Sequence, residues 1–248
     1  MNSAHTTYQP LVGRRILITG GTTGLGRAIA LRLSSEGASV FIFGRHQPEL
    51  DDAMRDLSGT GFPPIGMLAD AAVKEDIDKV FARLDEEWGG LDVLVNNAAV
   101  AAGGLEEEDE DDAEYAVMTN VTGYLRCAKR ALERMEENSH IVLIGSISAD
   151  NQNPGSSVYV ATKSAIQGFA ESFRQEASEK GIKVSLVEPG KTGSDMIEPD
   201  LEEQRESQKN LQMLKAEDIA VAVEYILTQP PRCTVAGLKI MPTKTGAD

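Results

Sequence analysis

A tyrosine and a lysine at helical spacing are the residues of this sequence best suited to proton transfer. Tyr159 and Lys163 stand four positions apart in the stretch YVATK, so on a helix they share a face. A nearby cationic amine favours the ionised phenol and lowers its pKa, which is roughly 10 in an unperturbed tyrosine. Tyr159 is therefore a candidate acid and base, although such a pair on its own is more often a plain surface feature.

A serine hydroxyl is expected near this pair from another part of the chain. Ser146 comes thirteen residues before Tyr159 and ends an apolar run over 141–145. A short run of this kind predicts a buried strand. Open parallel sheets bind their ligands at the carboxyl ends of their strands, so we expect Ser146 at the ligand-binding edge.

A glycine-rich turn near the N-terminus predicts a phosphate-binding site. The apolar stretch 15–18 reads as a strand, the pattern after Gly26 is helical, and glycines occupy positions 20, 21, 24 and 26 between them. Glycines let the backbone approach a pyrophosphate, and the helix N-terminus attracts its charge. The turn could also be a simple connection, but it is a second signal independent of Tyr159 and Lys163.

Composition and periodicity predict one compact α/β domain over 13–248, preceded by a flexible tail over 1–12. A chain of 248 residues with 41% hydrophobic content can bury a large core without dividing. Apolar runs alternate with amphipathic stretches, which predicts a doubly wound parallel sheet with helices on both faces. The predicted strands are 15–18, 40–43, 65–68, 91–95, 141–144, 184–187 and 238–241, and the predicted helices are 24–36, 47–57, 73–88, 112–137, 157–180 and 216–228.

Charge and cysteine content argue against several other classes of protein. The net charge of −15 opposes binding to nucleic acid or to an anionic membrane, and the first ten residues lack the apolar core of a signal peptide. Cys127 and Cys233 offer neither a disulfide framework nor metal-ligand spacing. We expect a cytoplasmic protein without a metal, in which the acidic run 106–112 is a solvated loop entering a helix.

Six short motifs, in this order along the chain, resemble those of the short-chain dehydrogenase/reductase family. The resemblance extends from about residue 13 to residue 243 and departs from the usual pattern at Ala99, commonly glycine, and Thr192, commonly aliphatic. It implies a single-domain Rossmann fold with strand order 3-2-1-4-5-6-7, and an NAD(P)-dependent oxidoreductase acting on a carbonyl or alcohol. The motifs are Thr19–Gly26, Asn96-Asn97-Ala98-Ala99, Asn120, Ser146, Tyr159 with Lys163, and Pro189-Gly190.

The resemblance also assigns roles to single residues. It implies that Tyr159 exchanges the proton, that Ser146 hydrogen-bonds the carbonyl oxygen, and that Lys163 holds the nicotinamide ribose. Asn120 would position a water beside that lysine, Asp70 would accept from the adenine, and Asn96 would lie beside the cofactor. The implied cofactor-binding residues are Gly20, Thr22, Thr23, Gly24, Leu25, Gly26, Arg45, Asp70, Asn97, Ala98, Tyr159, Lys163, Pro189, Gly190, Thr192 and Ser194, the last at the carboxamide.

The end of the second predicted strand favours NADP(H) over NAD(H). NAD-binding folds place a carboxylate there for the ribose 2′-hydroxyl, whereas an arginine accommodates the 2′-phosphate of NADP. Residues 43–46 are Phe-Gly-Arg-His, so Arg45 could clamp the phosphate. It could also be a surface residue, and NAD(H) stays an alternative.

Substrate and assembly stay open at this level. The pocket walls are expected from 100–105, 147–157 and 194–214, the last as a mobile lid or as a solvated loop. By resemblance, the helices over 112–137 and 157–180 would form a homodimer or homotetramer. Their apolar side chains could equally be internal core; those of the second helix are Ala165, Ile166, Phe169 and Phe173.

Two other functions compete with catalysis on a carbonyl. A catalytically silent NADP(H)-binding redox sensor could keep the fold, and a methyltransferase could also use a glycine-rich α/β turn. Neither needs the complete set of Asn120, Ser146, Tyr159 and Lys163 that this sequence carries. The reductase or dehydrogenase is therefore the favoured function.

Overall fold

Strands and helices alternate along the chain, as the periodicity predicts. The computed structural model describes residues 6–193 and 200–244. Its strands are β1 Arg15–Thr19, β2 Ser39–Gly44, β3 Ile65–Leu68, β4 Val93–Asn96, β5 His140–Ile144, β6 Lys183–Pro189 and β7 Gly237–Ile240. Its helices are α1 Gly24–Ser35, α2 Gln47–Leu57, α3 Lys74–Trp88, α4 Glu110–Val117, α5 Tyr124–Leu132, α6 Ser148–Asn151, α7 Ser157–Ser178, α8 Leu201–Lys209 and α9 Ala216–Leu227.

The seven strands form one parallel sheet in the order β3-β2-β1-β4-β5-β6-β7. This confirms both the predicted fold class and the strand order that the resemblance implies. The direction in which strands are added reverses between β1 and β4: β2 and β3 extend the sheet on one side of β1, and β4 pairs with β1 on its other side. Such a switch point leaves a crevice at the carboxyl ends of the strands.

Helices cover both faces of the sheet because the strands are apolar on both. On one face Leu17 and Phe41 pack with buried residues of α3, α5 and α7. On the other face Ile16 and Ile42 pack with buried residues of α1, α2 and α9. Successive strand side chains point to opposite faces, so the apolar runs read as continuous rather than alternating.

Most predicted boundaries agree with the structure to within two residues, and the largest difference lies in the helix predicted over 112–137. The observed helix begins earlier, at Glu110, and Asp109 caps it by accepting a hydrogen bond from the backbone of Asp111. It is then interrupted by a π-helical turn over Met118–Gly123 and ends at Leu132. The acidic run does enter the helix at its N-terminus, as predicted.

Two segments are more ordered than the sequence indicates. Residues 1–5 of the predicted tail over 1–12 lie outside the described residues; further along it, Leu11 is buried among core residues and the Gln9 backbone N–H donates to the Thr228 carbonyl. Of the predicted lid over 194–214, residues 194–199 lie outside the described residues and residues 201–209 form the helix α8. A hydrogen bond from the Gly193 N–H to the Leu214 carbonyl joins the two ends of that segment.

In the described part of the chain, no helix is long and apolar enough to cross a membrane. Of the two cysteines, Cys127 is fully buried in the core. Burial raises the pKa of its thiol to about 12, which fits the packing role predicted for it.

One threonine hydroxyl links β1 to the loop after β4 at the switch point. The side-chain oxygen Oγ1 of Thr19 accepts hydrogen bonds of 2.8 Å from the backbone N–H groups of Asn97 and Ala98. The Asn97 side chain returns two bonds, from Nδ2 to the carbonyl oxygens of Thr19 (3.0 Å) and Gly20 (3.2 Å). Thr19 is fully buried, so no solvent competes for these groups.

Replacing this hydroxyl by a methyl group should destabilise the fold. In Thr19→Val, the two buried N–H groups lose their acceptor, and we expect the free energy of unfolding to fall by about 2–4 kcal/mol in a urea titration. The control, Thr19→Ser, keeps the oxygen and loses one methyl group, which costs about 1 kcal/mol. Equal losses in the two variants would contradict the role assigned to the hydroxyl.

Candidate active site

A cavity of about 590 Å³ opens at the switch point, along the carboxyl ends of β1 to β5. Its lining comes from the turn before α1, the ends of β2 and β5, the loops after β3 and β4, and one face of α7. The predicted cofactor residues among that lining are Gly20, Thr22, Thr23, Gly24, Leu25, Arg45, Asp70, Asn97, Ala98, Tyr159 and Lys163.

The glycine-rich turn leaves room along one wall of the cavity for a phosphate-bearing ligand. Gly20 has a φ of +63°, which glycine adopts without strain. Gly26 lies behind the turn rather than in the cavity lining, and a β-carbon there would collide with the Gly20 carbonyl and the Asn97 amide. Helix α1 begins at Gly24, so its free N–H groups are available to an anion.

Three polar side chains lie together at the β2 end of the cavity. Arg45 Nη1 donates to Tyr115 Oη at 2.6 Å, and that hydroxyl donates to Asp70 Oδ2 at 2.7 Å. The structure thus brings two predicted cofactor residues together through a tyrosine that the sequence reasoning missed. Tyr115 follows no strand and belongs to no motif, so no sequence signal identified it.

Ser146, Tyr159 and Lys163 are brought together at the end of β5. The Ser146 hydroxyl donates to Ser148 Oγ at 3.1 Å and lies close enough to the Tyr159 phenol to favour its ionised form. The Lys163 ammonium nitrogen Nζ donates to the Ile144 carbonyl at 3.1 Å and lies 5.6 Å from the centre of the Tyr159 ring. Strand β5 and helix α7 therefore position the three groups predicted to act together.

Burial governs the protonation of this group. It lowers the pKa of the Lys163 amine from 10.5 to about 8, because the charged form is taken out of water. It also raises the pKa of the Tyr159 phenol, an effect that the Ser146 hydroxyl partly opposes. The direction for Tyr159 is opposite to the sequence prediction, because desolvation is the largest effect and the Ser146 hydroxyl opposes it only in part.

Asn120 lies under the cavity rather than in its lining, in the π-helical turn. Its side chain makes two bonds with the Val100 backbone, accepting from N–H at 2.8 Å and donating to the carbonyl at 2.9 Å. Its Nδ2 is also 3.3 Å from Thr162 Oγ1 on α7. Asn120 therefore joins the loop after β4 to the helix that carries Tyr159 and Lys163.

The remaining predicted residues lie away from the cavity lining. Ser146 follows β5, Pro189 ends β6, and Gly190 and Thr192 come after β6; none of them contributes to the lining, and Ser194 is outside the described residues. Asn96, expected beside the cofactor, is instead buried and donates to the Tyr124 carbonyl. The lining residues absent from the predicted cofactor set lie at or after strand ends, at the start of α2 or in the π-helical turn: Phe43, Gly44, His46, Glu49, Ala69, Ala71, Ala99, Val100, Ala101, Thr119, Ile144 and Gly145.

The cavity fits a dinucleotide in shape and chemistry. Two glycines, Gly20 and Gly24, line the cavity at the start of α1 and let the backbone approach a pyrophosphate there. Polar groups at the β2 end suit an adenosine moiety, and an acid–base group lies at the β5 end. These residues would hold the cofactor across the switch point.

Comparison with known proteins points to the same family. The family described as short chain dehydrogenase matches residues 14–205. An uncharacterized oxidoreductase of Staphylococcus aureus is 29% identical over 235 residues, which cover 94% of this chain and 98% of that protein. One from Staphylococcus epidermidis is 30% identical over 230 residues, covering 91% and 96% of the two chains.

Solved structures agree in fold over almost the whole chain. A short chain dehydrogenase from Burkholderia cenocepacia in complex with NADP superposes with a TM-score of 0.86 and 30% identity, covering 94% of this chain and 98% of its own. A blue fluorescent protein from a metagenomic library in complex with NADPH superposes with a TM-score of 0.85 and 27% identity, covering 96% of this chain and 100% of its own. Taken with the switch-point cavity and its glycine-rich wall, these matches establish that the chain belongs to the short-chain dehydrogenase/reductase family of oxidoreductases.

Proposed function

We propose that this protein is an NADP(H)-dependent oxidoreductase that interconverts a carbonyl and an alcohol, with Tyr159 as its acid and base. The observation that carries the proposal is the convergence of three groups at the end of β5: the Tyr159 phenol, the buried Lys163 amine 5.6 Å from the centre of its ring, and the Ser146 hydroxyl. Two hydroxyls at one point can bind and protonate a single oxygen atom. The substrate is then a small molecule with a carbonyl or hydroxyl group.

The reaction divides between the cofactor and the chain. A reduced nicotinamide held in the cavity would supply a hydride to the carbonyl carbon. Ser146 then donates its hydrogen bond to the substrate oxygen instead of to Ser148, and Tyr159 donates its proton to the same oxygen as negative charge develops there. In the opposite direction Tyr159 accepts the proton of the alcohol.

Lys163 lowers the free energy that is needed to ionise Tyr159. With a pKa of about 8, its amine is mostly protonated at neutral pH. A cation near the ring lowers the energy of the phenolate, which burial otherwise raises. Its bond to the Ile144 carbonyl fixes the amine under the ring, and Asn120 supports the same helix from below through Thr162.

Arg45 supports a preference for NADP(H) over NAD(H). Its exposed guanidinium lies at the β2 end of the cavity, where a 2′-phosphate would need a cation. The neighbouring residues Gly44 and His46 carry no carboxylate. The Burkholderia and metagenomic proteins, whose structures contain NADP and NADPH, are consistent with this preference.

We also propose that the chain forms a homodimer or homotetramer through α4, α5 and α7. Ile166 and Phe173 are buried in the core of the chain itself and Phe169 packs against that core, so three of the four apolar residues predicted on α7 are internal. Exposed apolar side chains remain on these helices at Val117, Leu125 and Ala165. A cytoplasmic location stays the expectation from the sequence.

The proposed reaction is tested by oxidation of NADPH and NADH across ketones, aldehydes, quinones, sugars and acyl-thioester ketones. We expect Tyr159→Phe to lower kcat at least about a hundredfold, the scale of general acid–base catalysis, with NADPH binding unchanged in a fluorescence titration. Turnover by this variant near the wild-type rate would refute the role of Tyr159. A KM for NADH below that for NADPH would overturn the preference, and tight NADPH binding without turnover would favour the sensor.

The buried amine predicts a pH-dependent stability difference between the wild type and Lys163→Met. Between pH 8 and pH 10.5 the folded protein has released the Lys163 proton while the unfolded chain still holds it. Because the unfolded state then binds more protons, wild-type stability rises with pH relative to the variant, by about 2–4 kcal/mol across this window. Urea titrations at stepped pH measure the difference, and a difference independent of pH would contradict burial of a charged amine.

The proposed assembly predicts a molecular mass of two or four chains in light scattering. Charged substitutions on the proposed interface, Val117→Glu and Leu125→Glu, should lower that mass to one chain, because a charge in an apolar contact is costly. The matched control, Val221→Glu on the exposed face of α9, should leave it unchanged. A single-chain mass for the wild type at micromolar concentration would count against the proposal.

A further inference from the structure

The hydroxyl of Tyr115 lies between a cation and an anion at the β2 end of the cavity. It accepts a hydrogen bond of 2.6 Å from Arg45 and donates one of 2.7 Å to Asp70. The Arg45 guanidinium carbon also lies 5.4 Å from the centre of the Tyr115 ring, within the range of a cation–π contact. Arg45 and Asp70 line the cavity, whereas Tyr115 touches both without lining it.

This arrangement leaves the charge of Arg45 uncompensated. In residues 6–193 and 200–244, no carboxylate oxygen lies within 4.0 Å of the Arg45 side-chain nitrogens. The guanidinium bonds a neutral phenol oxygen, and the carboxylate of Asp70 lies on the far side of that hydroxyl. A direct ion pair between Arg45 and Asp70 would instead neutralise the cation that a phosphate needs.

The phenol is suited to this task because it stays protonated. Burial and the bond to Asp70 raise the pKa of Tyr115 above its ordinary value, so at neutral pH it is both a donor and an acceptor. Donation to a carboxylate makes the phenol oxygen a better acceptor for the guanidinium. The second oxygen of Asp70, Oδ1, accepts from the Ala72 N–H, which fixes the carboxylate at the other end.

We propose that Tyr115 is a positioning residue for selectivity towards a 2′-phosphate, acting through Arg45. It separates Arg45 from Asp70 and holds the guanidinium at the cavity before the ligand arrives. A long, exposed arginine otherwise loses rotamer freedom when it binds a phosphate, so holding it in advance favours the phosphorylated ligand. The inference rests on the proposed function in one respect, namely that Arg45 reads the 2′-phosphate.

The experiment measures dissociation constants at the adenosine end alone, with adenosine 2′,5′-bisphosphate and 5′-AMP as probes, and with NADPH and NADH for comparison. The variants are Tyr115→Phe, Arg45→Ala and their combination. Tyr115→Phe keeps the ring over which Arg45 lies and removes only the hydroxyl. Tyr225→Phe is the matched control, since that tyrosine is half exposed on α9, away from the cavity lining.

We expect Tyr115→Phe to weaken NADPH and adenosine 2′,5′-bisphosphate about threefold to tenfold, the scale of one hydrogen bond. Binding of NADH and 5′-AMP should change less than about twofold, because neither ligand uses Arg45 in this way. In the Arg45→Ala background, Tyr115→Phe should add nothing further, since coupled residues are not additive. Tyr225→Phe should change none of these constants.

The outcomes separate this inference from the proposed cofactor preference. If Arg45→Ala leaves NADPH binding unchanged, Arg45 does not read the 2′-phosphate, and the inference fails with that part of the proposed function. If Arg45→Ala weakens NADPH but Tyr115→Phe does not, only the inference is wrong. A merely structural role for Tyr115 would weaken phosphorylated and unphosphorylated ligands alike, or persist in the Arg45→Ala background, and either result overturns the proposal.

Discussion

The crevice at the switch point depends on the hydroxyl of Thr19. Strands β1 and β4 pair from Ile16 with Val93 to Ile18 with Val95, and beyond this register the two chains must separate to leave room for a ligand. Separation costs the backbone its ladder hydrogen bonds in a region that solvent does not reach. Thr19 Oγ1 replaces them by accepting from two successive N–H groups, so the sheet can open without unsatisfied buried donors.

The same link sets the position of the glycine-rich turn. Asn97, held at its backbone by Thr19, donates from its side chain to the Thr19 and Gly20 carbonyls. Gly26 must lack a β-carbon because these groups occupy its space. The glycine-rich turn therefore packs against the end of β4. The glycine at position 26 is needed for this close contact rather than for flexibility.

Features that depend on a local sequence pattern could be predicted from the sequence, whereas features that depend on contacts between distant residues could not. Continuous apolar runs identified the strands because each is buried on both faces, and glycines identified the turn because their spacing follows from sterics. The helix α8 was missed because residues 201–209 carry little apolar periodicity, being mostly charged and polar. The bridge of Arg45, Tyr115 and Asp70 joins β2, α4 and the loop after β3, and no pattern within any one of these segments indicates it.

The two ends of the cavity solve different physical problems. At the β5 end, burial shifts the pKa of Tyr159 upwards and that of Lys163 downwards to about 8, which keeps the phenol protonated as a donor and leaves the amine as the group that releases its proton more easily. At the β2 end, an exposed cation keeps its full charge because its partner is a neutral hydroxyl. Recognition needs a charge that remains available to the ligand. Proton transfer instead needs groups that can change their charge, and burial makes the charged form less stable. Placing a solvated arginine at one end and a buried lysine at the other lets one cavity meet both requirements.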